Sequence, residues 1–243
     1  MDMEKEKKAG NNGSIKKKLV VLTGAGISAE SGLKTFRDSN GLWEGYNVYE
    51  VATPRGWQKN PQLVLDFYNM RRKDVAAANP NAAHTGLAEL ESDFDVQIIT
   101  QNIDDLHERA GSTNVLHLHG EIFKMRGQKD EQHVCEIRGD ISLGQLAPDG
   151  TQYRPHIVWF EEPVPLIMEA ARITAAADLF VVIGTSLVVY PAAGLINETA
   201  DGTPKFIIDR QIPALPVIPN LKLIEAPASQ GVRLLKSMLA AYL

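Results

Sequence analysis

The chain has 243 residues, 44% hydrophobic and 23% charged, with a formal net charge of −5. This is an ordinary globular composition, large enough for one extensive core with a smaller satellite, and its acidic balance removes the basic field that non-specific nucleic-acid or membrane binding needs, so neither partner is expected. The single cysteine, Cys135, excludes an internal disulfide and a cysteine-rich metal site. No apolar run approaches the ~20 residues of a membrane span and the N-terminus lacks a signal-peptide core, so a cytoplasmic location is expected.

Residues 1–17, MDMEKEKKAGNNGSIKK, are almost all charged, Gly or Asn and read as a disordered, solvated tail. One folded unit is expected over 18–243. Apolar runs of strand length follow at 19–23, 96–100, 115–118, 156–160 (HIVWF), 179–184, 205–209 and 221–225, several near-continuous in Val, Ile, Leu and Phe. Helical patterns lie between them at 61–78, 81–91, 104–110, 166–177 and 229–243. This alternation predicts an α/β fold, a Rossmann-like doubly wound parallel sheet with a smaller inserted lobe. The larger lobe is expected over about 18–32, 79–120 and 156–243. The smaller takes 33–78 and 121–155, where no strand pattern follows the first turn and the chain becomes polar.

The run VVLTGAGISAESG (20–32) looks like a strand that turns into a helix at Gly24 and Gly26 and offers backbone N–H groups to a diphosphate. A dehydrogenase of this pattern needs an acidic residue ending a second strand about 20 positions on. Glu44 and Glu50 fall in that window, but neither ends an apolar strand. The loop reads as a dinucleotide site whose next element has been replaced. Behind it, Phe36 and Arg37 are placed to cover a bound ring and neutralise a diphosphate; taken alone, they read as a core Phe with a surface Arg. TQNIDDLHERAG (100–111), LHLHGE (116–121) and GTSLVVYPAA (184–193) then put polar clusters directly after three buried-type strands, where open parallel sheets hold ligands.

These residues resemble the sirtuins, NAD-consuming protein deacylases, with GAGIS, TFRD, QNID, HG, PHIVWF and GTSLVVYPA in the family's order over 19–235. The resemblance implies that NAD is a co-substrate and that no hydride moves. Nicotinamide leaves, the acyl oxygen of a modified lysine captures the ribose carbon, and O-acyl-ADP-ribose is released. It also implies that Gly24, Ala25, Gly26 and Ser28 approach the diphosphate, that Arg37 counters its charge and that Phe36 shields the reacting ribose. Gln101, Asn102, Ile103 and Asp104 form the motif that contacts the ribose and holds the nicotinamide carboxamide, with Asn102 counted as catalytic. A cap on the helix beginning near Asp105 is the alternative, compatible reading of Asp104. Gly184, Thr185, Ser186 and Asp209 are implied to contact the adenosine half, with Ala228 closing over adenine. At 209 most relatives carry Asn, and Asp still accepts from ribose hydroxyls.

His119 matches the family's general base, and an imidazole suits that work because its pKa of ~6.5 lies near neutrality. On a strand His117 and His119 face the same side, so geometry does not separate them; the motif does, since Gly120 follows His119. His84, His107, His133 and His156 read as structural or surface residues.

In QLVLDFYNMRRKDV the apolar stripe at helical spacing is Val64, Phe67, Tyr68, Arg71 and Val75. An arginine on such a face, taken alone, snorkels to solvent or pairs with an acid such as Asp74. Tyr-x-x-Arg is also the signature of the sirtuins that remove succinyl, malonyl or glutaryl groups, with Ala52 as the small residue that leaves room. Acidic acyl-lysine on proteins or peptides is therefore the expected substrate, with deacetylation weaker. HIVWFEEP resembles the strand that pairs with the substrate peptide, Val158, Trp159 and Phe160 lining the lysine tunnel. Glu161 and Lys34 depart from the usual Gly and Pro. Most sirtuins hold a zinc with four cysteines; Cys135 with His133 beside it is too few ligands, and no metal is expected. The alternatives are mono-ADP-ribosyl transfer and a non-catalytic NAD-binding module.

Overall fold

The computed structural model describes residues 16–34, 42–212 and 214–243. In chain order the strands are β1 Lys18–Thr23, β2 Leu42–Trp43, β3 Tyr46–Asn47, β4 Asp95–Thr100, β5 Val115–His117, β6 Gly120–Arg126, β7 Val134–Glu136, β8 Arg154–Ile157, β9 Leu179–Ile183, β10 Lys205–Asp209 and β11 Leu221–Glu225. The α-helices are α1 Val48–Val51, α2 Pro54–Lys59, α3 Pro61–Ala77, α4 Ala82–Glu89, α5 Leu106–Arg109, α6 Ile167–Ala175 and α7 Ala228–Leu239. No helix among the described residues is long and apolar enough to cross a membrane.

Six strands form one parallel sheet in the order β11-β10-β9-β1-β4-β5. The chain leaves β1 toward β4 and β5 and later returns on the other side through β9, so strand order reverses at β1. That reversal opens a crevice beyond the carboxyl ends of β1 and β9. Side chains alternate across the sheet: Leu19, Val21, Ile98, Val181 and Phe206 pack against α4 and α7, while Val20, Leu22, Ile99, Phe180 and Val182 pack toward α6. Burial of each such side chain contributes about 1.5–3 kcal/mol, which is why these strands lack the polar alternation of a half-exposed sheet.

The HIVWF run departs from expectation. Its strand is Arg154–Ile157, and it pairs antiparallel with β6 in a separate three-stranded sheet, β7-β6-β8, while Val158–Phe160 continue outside it. An apolar run shows that a segment is extended and buried, not which sheet it joins. β6 itself lies in a stretch read as polar, because GEIFKMR mixes charged residues among the apolar ones it buries.

The second core packs α1 to α3 against this small sheet through Val51, Val64, Phe67, Tyr68, Ile122, Met125 and Trp159. Arg72, 1% exposed, donates from Nε to the Ile122 carbonyl (2.9 Å) and from Nη1 to Asn69 Oδ1 (2.8 Å), tying α3 to β6. Where the polar loops meet, Asp149 gathers four donors: the amides of Lys129 (3.0 Å) and Asp130 (2.9 Å), and the amide (2.8 Å) and hydroxyl (2.6 Å) of Thr151. These bonds, the Thr151 hydroxyl first, hold its carboxyl well below the usual carboxylate range. A depressed folded-state pKa means that this contribution is complete above the unfolded value and is lost as pH falls through the folded one. Asp149→Ala is expected to raise amide exchange over 128–136 by about tenfold, measured by mass spectrometry, with β1, β4 and β9 unaffected. Unchanged exchange in those loops would exclude the staple.

Candidate active site

The Gly-rich turn is built by close packing. Gly24 N donates to the Ile183 carbonyl (3.0 Å) and Gly26 N to the Gly184 carbonyl (2.8 Å). A Cβ on Gly26 would stand 2.6 Å from Gly184 Cα, and Gly184 itself takes φ +64°. Glycine is required here because two loop backbones touch. The expected helix after the turn is instead two short 3-10 turns, Ala25–Ile27 and Ala29–Ser31, the second ended by Gly32 at φ +87°.

The loop after β4 carries the next layer. Thr23 and Thr100, level in the sheet, bond through their hydroxyls (2.9 Å), and Thr100 Oγ1 accepts from the Asn102 amide (3.0 Å). Asn102 Nδ2 donates to Ser28 Oγ (3.1 Å), which donates to Asp104 Oδ2 (3.0 Å). Asp104 Oδ1 accepts from the amide of Leu106 (3.2 Å), the first residue of α5, but the N-cap of that helix is Asp105, whose side chain makes no capping bond; Asp104 also lines the cleft. Burial raises its pKa, against the bonds from Leu106 and Ser28. Gln101 reaches across to Thr185 Oγ1 (3.2 Å).

Geometry separates the two histidines. β5 ends at His117, and residues 118 and 119 form a turn, so the two-residue period does not carry through. His119 Nδ1 lies 3.0 Å from the Gln101 carbonyl. A carbonyl only accepts, so Nδ1 carries the proton and Nε2 keeps its lone pair. Burial lowers the pKa of His119, partly opposed by that carbonyl. His117 is placed differently: Nδ1 donates to the Asn102 carbonyl (3.2 Å) and Nε2 pairs with Glu108 (2.7 Å). Burial opposes its charge, but the Glu108 bond and charge outweigh it and raise the pKa. His84 and His107 are buried, and burial drives both down, His84 to about 4; His84 Nδ1 accepts from the Asn81 amide and completes the N-terminal cap of α4.

A cleft of about 970 Å³ joins these layers to the small lobe. Gly24, Ala25, Gly26, Ser28, Gln101, Asn102, Ile103, Asp104 and His119 line it on one side, with Gly184, Thr185, Ser186 and Asp209 along the adjoining strand ends and Ala228 at the start of α7. Ala52, Tyr68, Arg71, Val158, Trp159 and Phe160 line the other side. Phe36 and Arg37 lie outside the described residues. The Val158 amide donates to the His119 carbonyl (2.9 Å) and that of Phe160 to the Ala52 carbonyl (3.0 Å), stitching the 158–160 segment to both lobes. Arg71 is buried and pairs with Glu44 (2.9 Å), not with Asp74. Burial pushes the Tyr68 phenol well up, so it is a hydroxyl donor at neutral pH. The Trp159 ring lies beside it, with centroids 6.4 Å apart, and among the described residues neither the Tyr68 hydroxyl nor Trp159 Nε1 has a partner in hydrogen-bond geometry.

A family model described as the Sir2 family matches residues 24–191. The chain belongs to the Sir2 family. Of the curated Sir2 relatives it resembles, one from Helicobacter pylori is 56% identical over 193 residues, 79% of this chain and 84% of that one. Another from Bacteroides thetaiotaomicron is 49% identical over 229 residues, 92% and 98% of the two chains. Both carry the name NAD-dependent protein deacylase. Among solved structures, a Sir2 homologue in complex with NAD matches at TM-score 0.81 and 38% identity over 92% of this chain and 91% of that one. Sir2 bound to an acetylated peptide matches at 0.76 and 28% over 93% and 94%.

Several contacts of this Sir2 site escape sequence reasoning. Glu162 takes Arg154 bidentately (2.7 and 3.0 Å) and accepts from the Trp159 amide (2.8 Å), which sets the ring that walls the cleft. Glu161 keeps the left-handed conformation of the expected Gly, at φ +73°, a cost of about 1–2 kcal/mol for a residue with a Cβ. Lys34, which lines the cleft, forms an ion pair with Glu44 (2.9 Å). Only the residue types, not their separations, hinted at these pairs.

NMR titration of the imidazoles is expected to place His119 below, and His117 above, the ordinary value of about 6.5. The charged His117–Glu108 pair is complete below the unfolded value and lost as pH rises through the folded one. Coincident midpoints would contradict the assigned environments.

Proposed function

We propose that this chain is an NAD-dependent protein-lysine deacylase that prefers succinyl, malonyl and related acidic acyl groups. Deacetylation is slower, the substrates are acyl-lysine-bearing proteins or peptides in the cytoplasm, and the products are nicotinamide and O-acyl-ADP-ribose. Family membership and the names of its relatives support the activity. One observation of this chain supports the acyl class: the Tyr68 hydroxyl and Arg71 Nε are buried in residues lining the cleft and have no hydrogen-bond partner among the described residues. An unsatisfied buried donor costs about 1–3 kcal/mol, and a carboxylate accepting from both removes that cost. The guanidinium fork matches a carboxylate bidentately; an acetyl methyl offers no acceptor. Neither ADP-ribosyl transfer nor a non-catalytic NAD-binding module needs such a pair.

The cleft fits a dinucleotide on its own features: backbone-lined glycines without Cβ atoms, a hydroxyl–amide–carboxyl chain, and a volume of about 970 Å³. When bound, NAD supplies a ribose carbon that becomes electrophilic as nicotinamide leaves. Gly24, Ala25, Gly26 and Ser28 are suited to the diphosphate, Thr185, Ser186, Asp209 and Ala228 to the adenosine half, and Asn102 and Asp104 to ribose and carboxamide. His119 takes a proton at Nε2, and its lowered pKa keeps that lone pair available at neutral pH. Ala52, Val158, Trp159 and Phe160 enclose the acyl-lysine.

Nicotinamide release and peptide mass, followed on succinyl-lysine and acetyl-lysine peptides, test this reading. The wild type is expected to favour succinyl-lysine in kcat/KM, and Arg71→Met to lose that preference by at least about tenfold, or ~1.4 kcal/mol. His119→Ala is expected to lose about 10²–10⁴-fold in kcat. A wild type that prefers acetyl-lysine removes the acyl assignment; NAD left whole with every acyl peptide removes the deacylase.

A further inference from the structure

Arg71 faces the cleft with a carboxylate already beside it. Glu44 Oε1 accepts from Arg71 Nη1 (2.9 Å), and Glu44 Oε2 accepts from Lys34 Nζ (2.9 Å). The Arg71 and Glu44 side chains are 6% and 11% exposed, whereas Lys34 is 71% exposed. We propose that Glu44 is a resident stand-in for the acyl carboxylate, neutralising Arg71 while a neutral acyl group fills the cleft and competing with an acidic one, so that it sets the range of acyl groups accepted. This rests on the acyl assignment of Tyr68 and Arg71 above.

Three features carry the inference. Glu44 uses one Nη of the guanidinium, and Nε has no partner among the described residues, so Glu44 does not take the fork in full. An acyl carboxylate that takes Nε adds what Glu44 does not supply. Secondly, Glu44 and Gly45 form the β2–β3 turn with φ +53° and +83°. Asn or Asp favours the first of two such positions, and a strained residue retained there points to a use for its side chain. Thirdly, a buried arginine left without a counter-charge is strongly disfavoured, so a site that keeps Glu44 accepts acetyl-lysine without exposing that cost. Without the Glu44 charge the balance tips: the fork is open to acidic acyl groups and uncompensated against neutral ones.

Steady-state kinetics of Glu44→Gln on succinyl-lysine and acetyl-lysine peptides test this. The succinyl-to-acetyl ratio of kcat/KM is expected to rise at least about fivefold, mainly through a lower KM for the succinyl peptide. In an Arg71→Met background the same substitution is expected to change the ratio by less than about twofold, because the competition is for Arg71. Lys34→Met, at an exposed position, is a second variant; freeing Glu44 for Arg71 alone, it is expected to lower the ratio. A ratio that stays level or falls in Glu44→Gln, or stays level or rises in Lys34→Met, overturns the inference while an Arg71→Met effect leaves the acyl assignment standing. If Arg71→Met itself leaves the ratio unchanged, the acyl assignment falls and the inference with it. A purely structural role for Glu44 would lower both peptides' kcat/KM together.

Discussion

Thr23 stands level with Thr100 in one ladder and with Ile183 in the other. Because strand order reverses at β1, the loops after these three ends converge without a helix between them. Their separation is then set by backbone contact. Gly26 N bonds to the Gly184 carbonyl at 2.8 Å, and no side chain fits between Gly26 and Gly184. Gln101–Thr185 (3.2 Å) joins the loops after β4 and β9, and Asn102–Ser28 (3.1 Å) joins those after β4 and β1, so the polar floor of the cleft is assembled from all three loops.

Within this frame, residues of one chemical type are driven to different states by their surroundings. His117 and His119 are two positions apart, yet one is paired with Glu108 and raised, the other buried against a carbonyl and lowered. Arg71 and Arg72 are adjacent on α3. Arg72 spends its donors on the carbonyls of Ile122 and Gly139 and on Asn69, a structural tie between helix and sheet. Each keeps one nitrogen without a partner among the described residues, Nη2 of Arg72 and Nε of Arg71, but it is Arg71 that holds a carboxylate and lines the cleft. The difference follows from the ~100° each residue turns about a helix axis, which places one guanidinium under the small sheet and the other at the cleft.

The large sheet was legible because its strands are short, nearly continuous apolar runs and its helices carry a period of 3.6, signals that local sequence contains in full. The stripe on α3 was legible for the same reason: Val64, Phe67, Tyr68, Arg71 and Val75 are all buried. The small sheet was not. GEIFKMR carries too much charge to read as buried, and HIVWF reads as a strand of the large sheet although its strand joins β6. The turn after β1 also reads as a helix start, yet its glycines and Ser28 settle into 3-10 turns that leave room for Gly184.

By itself the sequence determined the kinds of chemistry present: a Gly-lined turn, an imidazole after a buried strand, an arginine and a phenol one helical turn apart. All are encoded within a few residues, where periodicity and spacing act. Tertiary structure alone decided what each group meets. Arg71 finds Glu44, 27 positions away, not Asp74; His119 finds the Gln101 carbonyl, 18 positions away, and takes its tautomer from it. Such partners are chosen by packing, which brings distant segments together according to buried area and steric fit, and local propensity holds no record of that choice.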